Sequence, residues 1–313
     1  MKQYQYIFGP VPSRRLGRSL GIDLVPSKTC TYDCIYCQLG LTTQKTIQRK
    51  AYVPLHVVLK EIKIKLKDPD PPAYITLSGS GEPTLHSGIG ALIRDIKKIT
   101  SIPVAVITNG SLLWMPEVRD ALMPADVVLP SLDAGEDDLF QKVNRPHPDI
   151  TFDKMIQGLI SFREEYKGQI WLEILLVDDL SAIPEEVEKI GSWVREIKPD
   201  RIHLNTATRP PAEKSAHFVP REKLEELARI LGDNAEVIAD YRTEKPPPAP
   251  APVKVSRSEV LAILQRRPCT LQDIVDGLRI DRTEAMKYIN ELVRSCEIEA
   301  EKRGNVIYYK AWE

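Results

Sequence analysis

A chain of 313 residues with 42% hydrophobic and 28% charged side chains is long enough for one large domain and one small one, and no apolar run in it approaches the roughly 18 residues of a membrane span. The formal net charge of −1 hides a split: residues 1–67 carry twelve Lys/Arg against three Asp/Glu, net +9, whereas 68–252 carry 20 against 31, net −11. The opening residues have no secretory pattern, so a cytoplasmic protein is expected, and five cysteines, three of them within eight positions, point to metal chemistry rather than a disulfide framework.

The first predicted strand, 19–25, leads directly into Cys30-Thr31-Tyr32-Asp33-Cys34-Ile35-Tyr36-Cys37. Three thiolates in one tight loop can hold three irons of a 4Fe-4S cluster and leave the fourth iron open, or can supply three of the four ligands of a structural zinc. A helix is predicted over 55–66, with Leu55, Val58, Leu59, Ile62 and Leu66 on one stripe; Lys60, Lys63 and Lys67 fall at the spacing of a solvated helix face. The second strand, 73–78, runs into Ser78-Gly79-Ser80-Gly81-Glu82-Pro83-Thr84. Small residues there let the backbone approach a ligand closely, and the carboxylate can accept hydrogen bonds from an ammonium group.

Further strands are expected at 104–108, 126–132, 169–177 and 201–206, with 235–239 as a seventh strand or an edge and a helix at 184–197 between the fifth and sixth. Polar residues mark the strand ends: Asn109 at the third, Ser131 and Asp133 at the end of the fourth, Arg209 after the sixth. Glu173 is a charge inside the fifth. Alternating strands and helices predict an α/β fold, a partial (β/α)6 barrel over 1–243 with right-handed crossovers and its site at the C-terminal strand ends. Five prolines make 244–253 a semi-rigid linker. Beyond it, 254–313 reads as a second, smaller winged helix-turn-helix domain, with helices at 257–266, 270–278 and 281–296, Asp281 as an N-cap, and a hairpin pairing 298–300 with 306–309.

Cys-x3-Cys-x2-Cys with an aromatic before the third cysteine resembles the radical S-adenosylmethionine (radical SAM) superfamily, over roughly residues 7 to 211. The resemblance implies a 4Fe-4S cluster on Cys30, Cys34 and Cys37, with S-adenosylmethionine (SAM) on the open iron, cleaved to methionine and a 5'-deoxyadenosyl radical. It implies that Tyr36 packs near the adenine and that Ser80, Gly81 and Glu82 match the family's Gly-Gly-Glu segment. Asn109, Ser131 and Asp133 fall where the family contacts the methionine and ribose, and Glu173 is a further candidate contact. A low-potential donor, flavodoxin or ferredoxin, is the implied electron source.

The segments from Phe8 to Gly17 and Asn144-Arg145-Pro146-His147 look like the wyosine-synthase-like branch, whose characterised members rebuild a guanine of transfer RNA. Arg14, Arg15 and Arg18 would suit a phosphate backbone, and Arg209 a carboxylate or phosphate. Only Cys269 and Cys296 remain for any auxiliary cluster, which argues against wyosine synthesis itself and leaves RNA modification as the expectation. A protein- or peptide-modifying enzyme, a glycyl-radical activator and an Fe-S redox-sensing winged-helix transcription regulator are the alternatives. The winged helix, with eleven Lys/Arg and ten Asp/Glu over 253–313, is a candidate for nucleic acid or peptide. His203, near the sixth strand, is a candidate acid or base.

Overall fold

The chain opens with an antiparallel hairpin, β1 (Ile7–Ser13) and β2 (Gly17–Asp23). The sequence shows only the second strand, because Gly9, Pro10 and Pro12 break the period-2 pattern of the first. Residues 4–239, 255–278, 280–303 and 306–312 are described by this computed structural model; the linker expected at 244–253 lies outside the described residues. After β2 comes a two-residue parallel pair, β3 (Thr29–Cys30) and β4 (Gln44–Lys45). Strands and helices then alternate: α1 (Leu55–Lys65), β5 (Tyr74–Ser78), α2 (Ile89–Ile99), β6 (Val104–Thr108), α3 (Pro116–Leu122), β7 (Val127–Pro130), α4 (Asp137–Val143), α5 (Phe152–Glu165), β8 (Gln169–Leu176), α6 (Pro184–Ile197), β9 (Arg201–Thr206), α7 (Arg221–Leu231) and β10 (Ala235–Val237).

The main sheet has the order β1-β2-β5-β6-β7-β8-β9-β10, and every neighbouring pair except β1·β2 is parallel. Strand order follows chain order, the signature of a curling (β/α) barrel, and the expected partial barrel is the fold. Alternation divides each strand between two cores. Ile75, Leu77, Val104, Val106, Leu172 and Ile174 face the helices in the large outer core. Ala105, Val127, Leu129 and Trp171, one residue out of phase with them, face the lumen and enclose Leu16 from the β1–β2 turn. The hairpin turn is therefore a plug in the N-terminal half of the barrel. Beside it, the Arg14 guanidinium donates to Asn205 Oδ1 at 3.3 Å and to the Ile238 carbonyl at 3.0 Å, tying the hairpin to the opposite edge of the sheet.

Residues 255–312 hold α8 (Arg257–Leu264), α9 (Leu271–Leu278), α10 (Arg282–Arg294) and the antiparallel pair β11 (Ile298–Arg303) and β12 (Val306–Ala311). Asp281 caps α10, its side chain accepting from the Glu284 amide at 2.9 Å. This unit packs on the barrel: Val11 of β1 completes its core with Val260, Ile263 and Ile274, and a Cβ added at Gly277 would touch Pro12. Tyr308 of β12 donates to the Thr208 carbonyl at 3.0 Å. No helix among the described residues is long and apolar enough to cross a membrane.

The plug has a measurable consequence. Leu16→Ala empties a fully enclosed leucine site and should destabilise the protein by about 2–5 kcal/mol, read as a lower urea midpoint; an unchanged midpoint would show that the turn does not fill the lumen.

Candidate active site

Three loops meet above the C-terminal ends of β2, β5 and β6, and hydrogen bonds join them. The first is the cysteine loop. Cys30 belongs to the β3·β4 pair, and its carbonyl accepts from the Thr46 amide at 2.9 Å. The Asp33 and Ile35 amides donate to the Asn144 and Val143 carbonyls at 3.0 Å each, fastening the loop to the end of α4.

The second loop is the glycine-rich turn after β5. Gly79 has φ +114, a conformation side chains avoid, and a Cβ there would collide with the Asp23 carboxylate, which accepts from the Ser80 amide at 2.9 Å. At Gly81 a Cβ would strike the Thr29 carbonyl. Without side chains at these positions the turn lies flat against the cysteine loop, with Glu82 N–H donating to Thr29 O at 3.1 Å and Lys28 N–H to Ser80 O at 2.6 Å.

The third loop follows β6, and Glu82 binds it. This carboxylate is buried; Oε1 accepts from Thr84 N (3.0 Å), Thr84 Oγ1 (2.6 Å) and Thr108 Oγ1 (2.7 Å), and Oε2 accepts from Asn109 N (2.8 Å). Burial pushes its pKa up and the four donors pull it back. The Asn109 amide group then turns to the cysteine loop, donating to Thr31 Oγ1 at 2.7 Å and to the Cys30 sulfur at 3.6 Å. Asn144 does the same from the other side, donating to the Cys34 sulfur at 3.5 Å and to Asp133 Oδ2 at 2.8 Å.

All three loops face one cavity of about 530 Å³, within the size range of small-molecule sites. Cys30, Cys34, Cys37, Tyr36, Ser80, Gly81, Glu82, Asn109, Ser131, Glu173, Arg14, Arg15 and Arg209 are on its wall, so the fold gathers nearly every residue singled out from the sequence. Four of the residues singled out from the sequence, Asp133, Glu173, Arg15 and Arg18, have other partners than expected. Asp133 is not on the wall: its Oδ1 accepts from Leu175 N at 2.9 Å and its Oδ2 from the Tyr36 hydroxyl, so it acts on the cavity by holding Tyr36 in place. Glu173 is ion-paired to Arg15 and accepts from Asn205 Nδ2 at 3.0 Å. Arg15 is consequently a lumen residue rather than part of an outer basic face, while Arg18 is ion-paired to Asp70 away from the cavity.

His203 is also set apart. It is buried against Trp171 in the barrel floor with Nε2 2.9 Å from Glu236, and burial lowers its pKa to about 4 despite that carboxylate, leaving it neutral at ordinary pH. The sequence reading missed Asp23, Thr31 and Asn144 as site builders. A hydrogen-bonding residue directly before or inside each loop was the available signal.

The donor set fits a cluster. Burial raises all three thiols, Cys30 to about 12, with Glu82 adding at Cys30, Asp133 at Cys34 and Asp33 at Cys37, so ionised sulfurs here call for a cationic centre. Among the described residues no three His, Cys, Asp or Glu side chains converge tightly enough for a single ion. A 4Fe-4S cluster takes each thiolate on a different iron, and the two asparagine amides give the Cys30 and Cys34 sulfurs hydrogen bonds of the kind that tune such clusters.

Comparison with known proteins agrees with this geometry. The family model described as the Radical SAM superfamily matches residues 24–194. A protein named GTPase Obg from Brachyspira hyodysenteriae is 39% identical over 97% of this chain, which spans 45% of that relative's length. A UPF0026 protein of Helicobacter pylori (strain J99) is 31% identical over 98% of this chain and 97% of its own. Among solved structures, a radical SAM methyltransferase from Sphaerobacter thermophilus superposes with a TM-score of 0.54 at 17% identity, covering 72% of this chain and 67% of that one, a likeness of fold.

Glu82→Gln sets an amide N–H₂ among the backbone and hydroxyl donors that the carboxylate accepts from. The melting temperature should fall by the equivalent of about 1–3 kcal/mol with the barrel's circular dichroism intact, and an unchanged melt would show that the four bonds do not fasten the loops.

Proposed function

This chain belongs to the radical SAM superfamily and is an enzyme that uses a 4Fe-4S cluster and SAM, and we propose that it holds the cluster on Cys30, Cys34 and Cys37 and takes a hydrogen atom from its substrate. When bound and reduced by one electron, the cluster and SAM together supply methionine and a 5'-deoxyadenosyl radical, which leaves as 5'-deoxyadenosine after gaining the substrate hydrogen. The observation that carries the reading is the placement of the three cysteines on one cavity wall with the glycine-rich turn and Asn109.

The chain's own groups bind, orient and shield. Asn109 and Asn144 hold the sulfurs from opposite sides. Asp133 fixes the Tyr36 hydroxyl, so the ring faces the cavity in one orientation and offers a flat surface to the adenine. The Gly79–Gly81 turn, which lines the cavity, is the surface we assign to the methionine end of SAM, and Ser131 lies on the same cavity wall. Glu82 acts mainly through the loops it fastens, and its Oε2, with a single donor, keeps a lone pair for the SAM ammonium.

Radical SAM enzymes need a reductant, and we assign that role to flavodoxin or ferredoxin. We take the substrate to be of nucleic-acid type, with RNA modification as the leading reading, on the net +9 of residues 1–67 and the guanidiniums of the cavity. The wyosine-like resemblance points the same way, while wyosine synthesis is disfavoured because Cys269 is buried and Cys296 exposed on the C-terminal unit. We read 254–313 as a winged helix. With α8 and α9 against β1, the exposed Arg282, Lys287, Asn290 and Arg294 of α10 are the surface for a nucleic acid or peptide.

Anaerobically reconstituted protein with dithionite and SAM should release 5'-deoxyadenosine, and Cys34→Ala should lower that release to background. Sequence-specific DNA binding without any SAM cleavage would replace this reading with that of a cluster-sensing regulator.

A further inference from the structure

The C-terminal unit does more than pack on the barrel: its residues Ile263, Arg266 and Arg267 form part of the cavity wall. Arg266 crosses between the two. Its guanidinium lies over the Phe8 ring at 4.6 Å and donates from Nε to Asp23 Oδ2 at 2.5 Å, and the other oxygen of Asp23 holds the Ser80 amide. The unit is thus tied to the turn that shapes the SAM end of the site.

The charge on that wall is lopsided. Arg14, Arg15, Arg209, Arg266 and Arg267 line the cavity together with Lys28, against two carboxylates, Glu82 and Glu173. Glu173 is paired with Arg15 and Arg266 with Asp23, while Glu82 accepts from neutral donors of the loops, so the cations still outnumber the carboxylates. Arg209 from the β9 loop has its nearest carboxylate, Asp273 of α9, at 3.8 Å, beyond direct hydrogen-bond distance. Arg267 forms no ion pair among the described residues. Arg15 and Arg209 each carry a buried Nε–H with no hydrogen-bond partner, where buried donors ordinarily find one. The guanidiniums also feel one another: burial lowers Arg15 to about 9, with Arg14 and Arg209 pushing the same way, and burial lowers Arg209 with Arg267 adding to it.

A folded protein rarely gathers like charges in a half-enclosed cavity with donors unmet unless an anion completes the set. We propose that Arg209 of the barrel and Arg267 of the C-terminal unit, backed by Arg15, form a phosphoryl-binding subsite, so that the substrate carries a phosphate and the C-terminal unit takes part in selecting it. This rests on the reading of the cavity as a radical SAM site. Guanidiniums suit the role because their planar fork meets two phosphate oxygens at once.

The test is calorimetric titration of the full chain with inorganic tripolyphosphate, which needs no turnover. Wild type should bind, Arg209→Ala and Arg267→Ala should each weaken binding about tenfold to hundredfold, and Arg267→Lys should recover part of it. Melting temperatures check folding; Arg267, with no ion pair to lose, is the variant whose melt should stay put. No binding by wild type, or equal binding by the Arg267→Ala protein, overturns the proposal. Competition then separates the sources of phosphate: displacement of tripolyphosphate by nucleoside triphosphates or by a 5'-phosphorylated RNA decamer supports it and names the carrier, whereas displacement by neither overturns it. Protein that releases 5'-deoxyadenosine but ignores tripolyphosphate refutes only this inference. Protein that binds tripolyphosphate but never cleaves SAM refutes only the assigned function.

Discussion

One buried carboxylate organises the mouth of this barrel. Glu82 takes four donors from the β5 turn and the end of β6, and through Asn109 its hold extends to Thr31 and the Cys30 sulfur. A charge this enclosed is tolerable only when its oxygens are met, so the loops close around it and their relative positions follow. The glycines at 79 and 81 are the steric counterpart, since any side chain there would force the turn away from Asp23 and Thr29. The cysteine loop is fixed from the far side by Asn144 and α4, and the cavity lies between these two anchors.

The second organising element is the β1–β2 hairpin, which serves two compartments. Its turn pushes Leu16 into the lumen and aims Arg15 at Glu173, while the outer side of β1 gives Val11 and Phe8 to the core of α8 and α9. The cavity lies between the plugged lumen below and the fastened loops above. The C-terminal unit's Arg266 and Arg267 complete the wall. Asp23 joins the unit to the glycine-rich turn, accepting from Arg266 with one oxygen and from the Ser80 amide with the other.

Much of this was legible in the sequence because strand-end chemistry has a fixed address in parallel folds. Period-2 and period-3.6 patterns locate β5, β6, β8, β9, α6 and the helices of the C-terminal unit to within a residue or two, and the cysteine spacing and the Ser78–Glu82 segment then fall at the rim. Side-chain partnership was not legible. Asp133 reads as a rim carboxylate, but α4 brings Asn144 to it, 11 residues further along the chain, and it turns to Tyr36. Arg15 reads as a basic surface because its ion-pair partner, Glu173, is far away in sequence and only barrel closure brings them together. The first strand escaped notice since two prolines and a glycine within seven residues carry no strand signal, yet as the antiparallel edge strand it tolerates them.

The central claim is that three cysteines hold a cluster whose remaining iron is open to SAM. Electron paramagnetic resonance of anaerobically reconstituted, dithionite-reduced protein tests it most directly, with iron and sulfide assayed on the same sample. About four irons per chain and a reduced-cluster signal that changes shape when SAM is added are the predicted result. Stoichiometric zinc in place of iron, or a cluster signal that SAM leaves unmoved, would contradict the account.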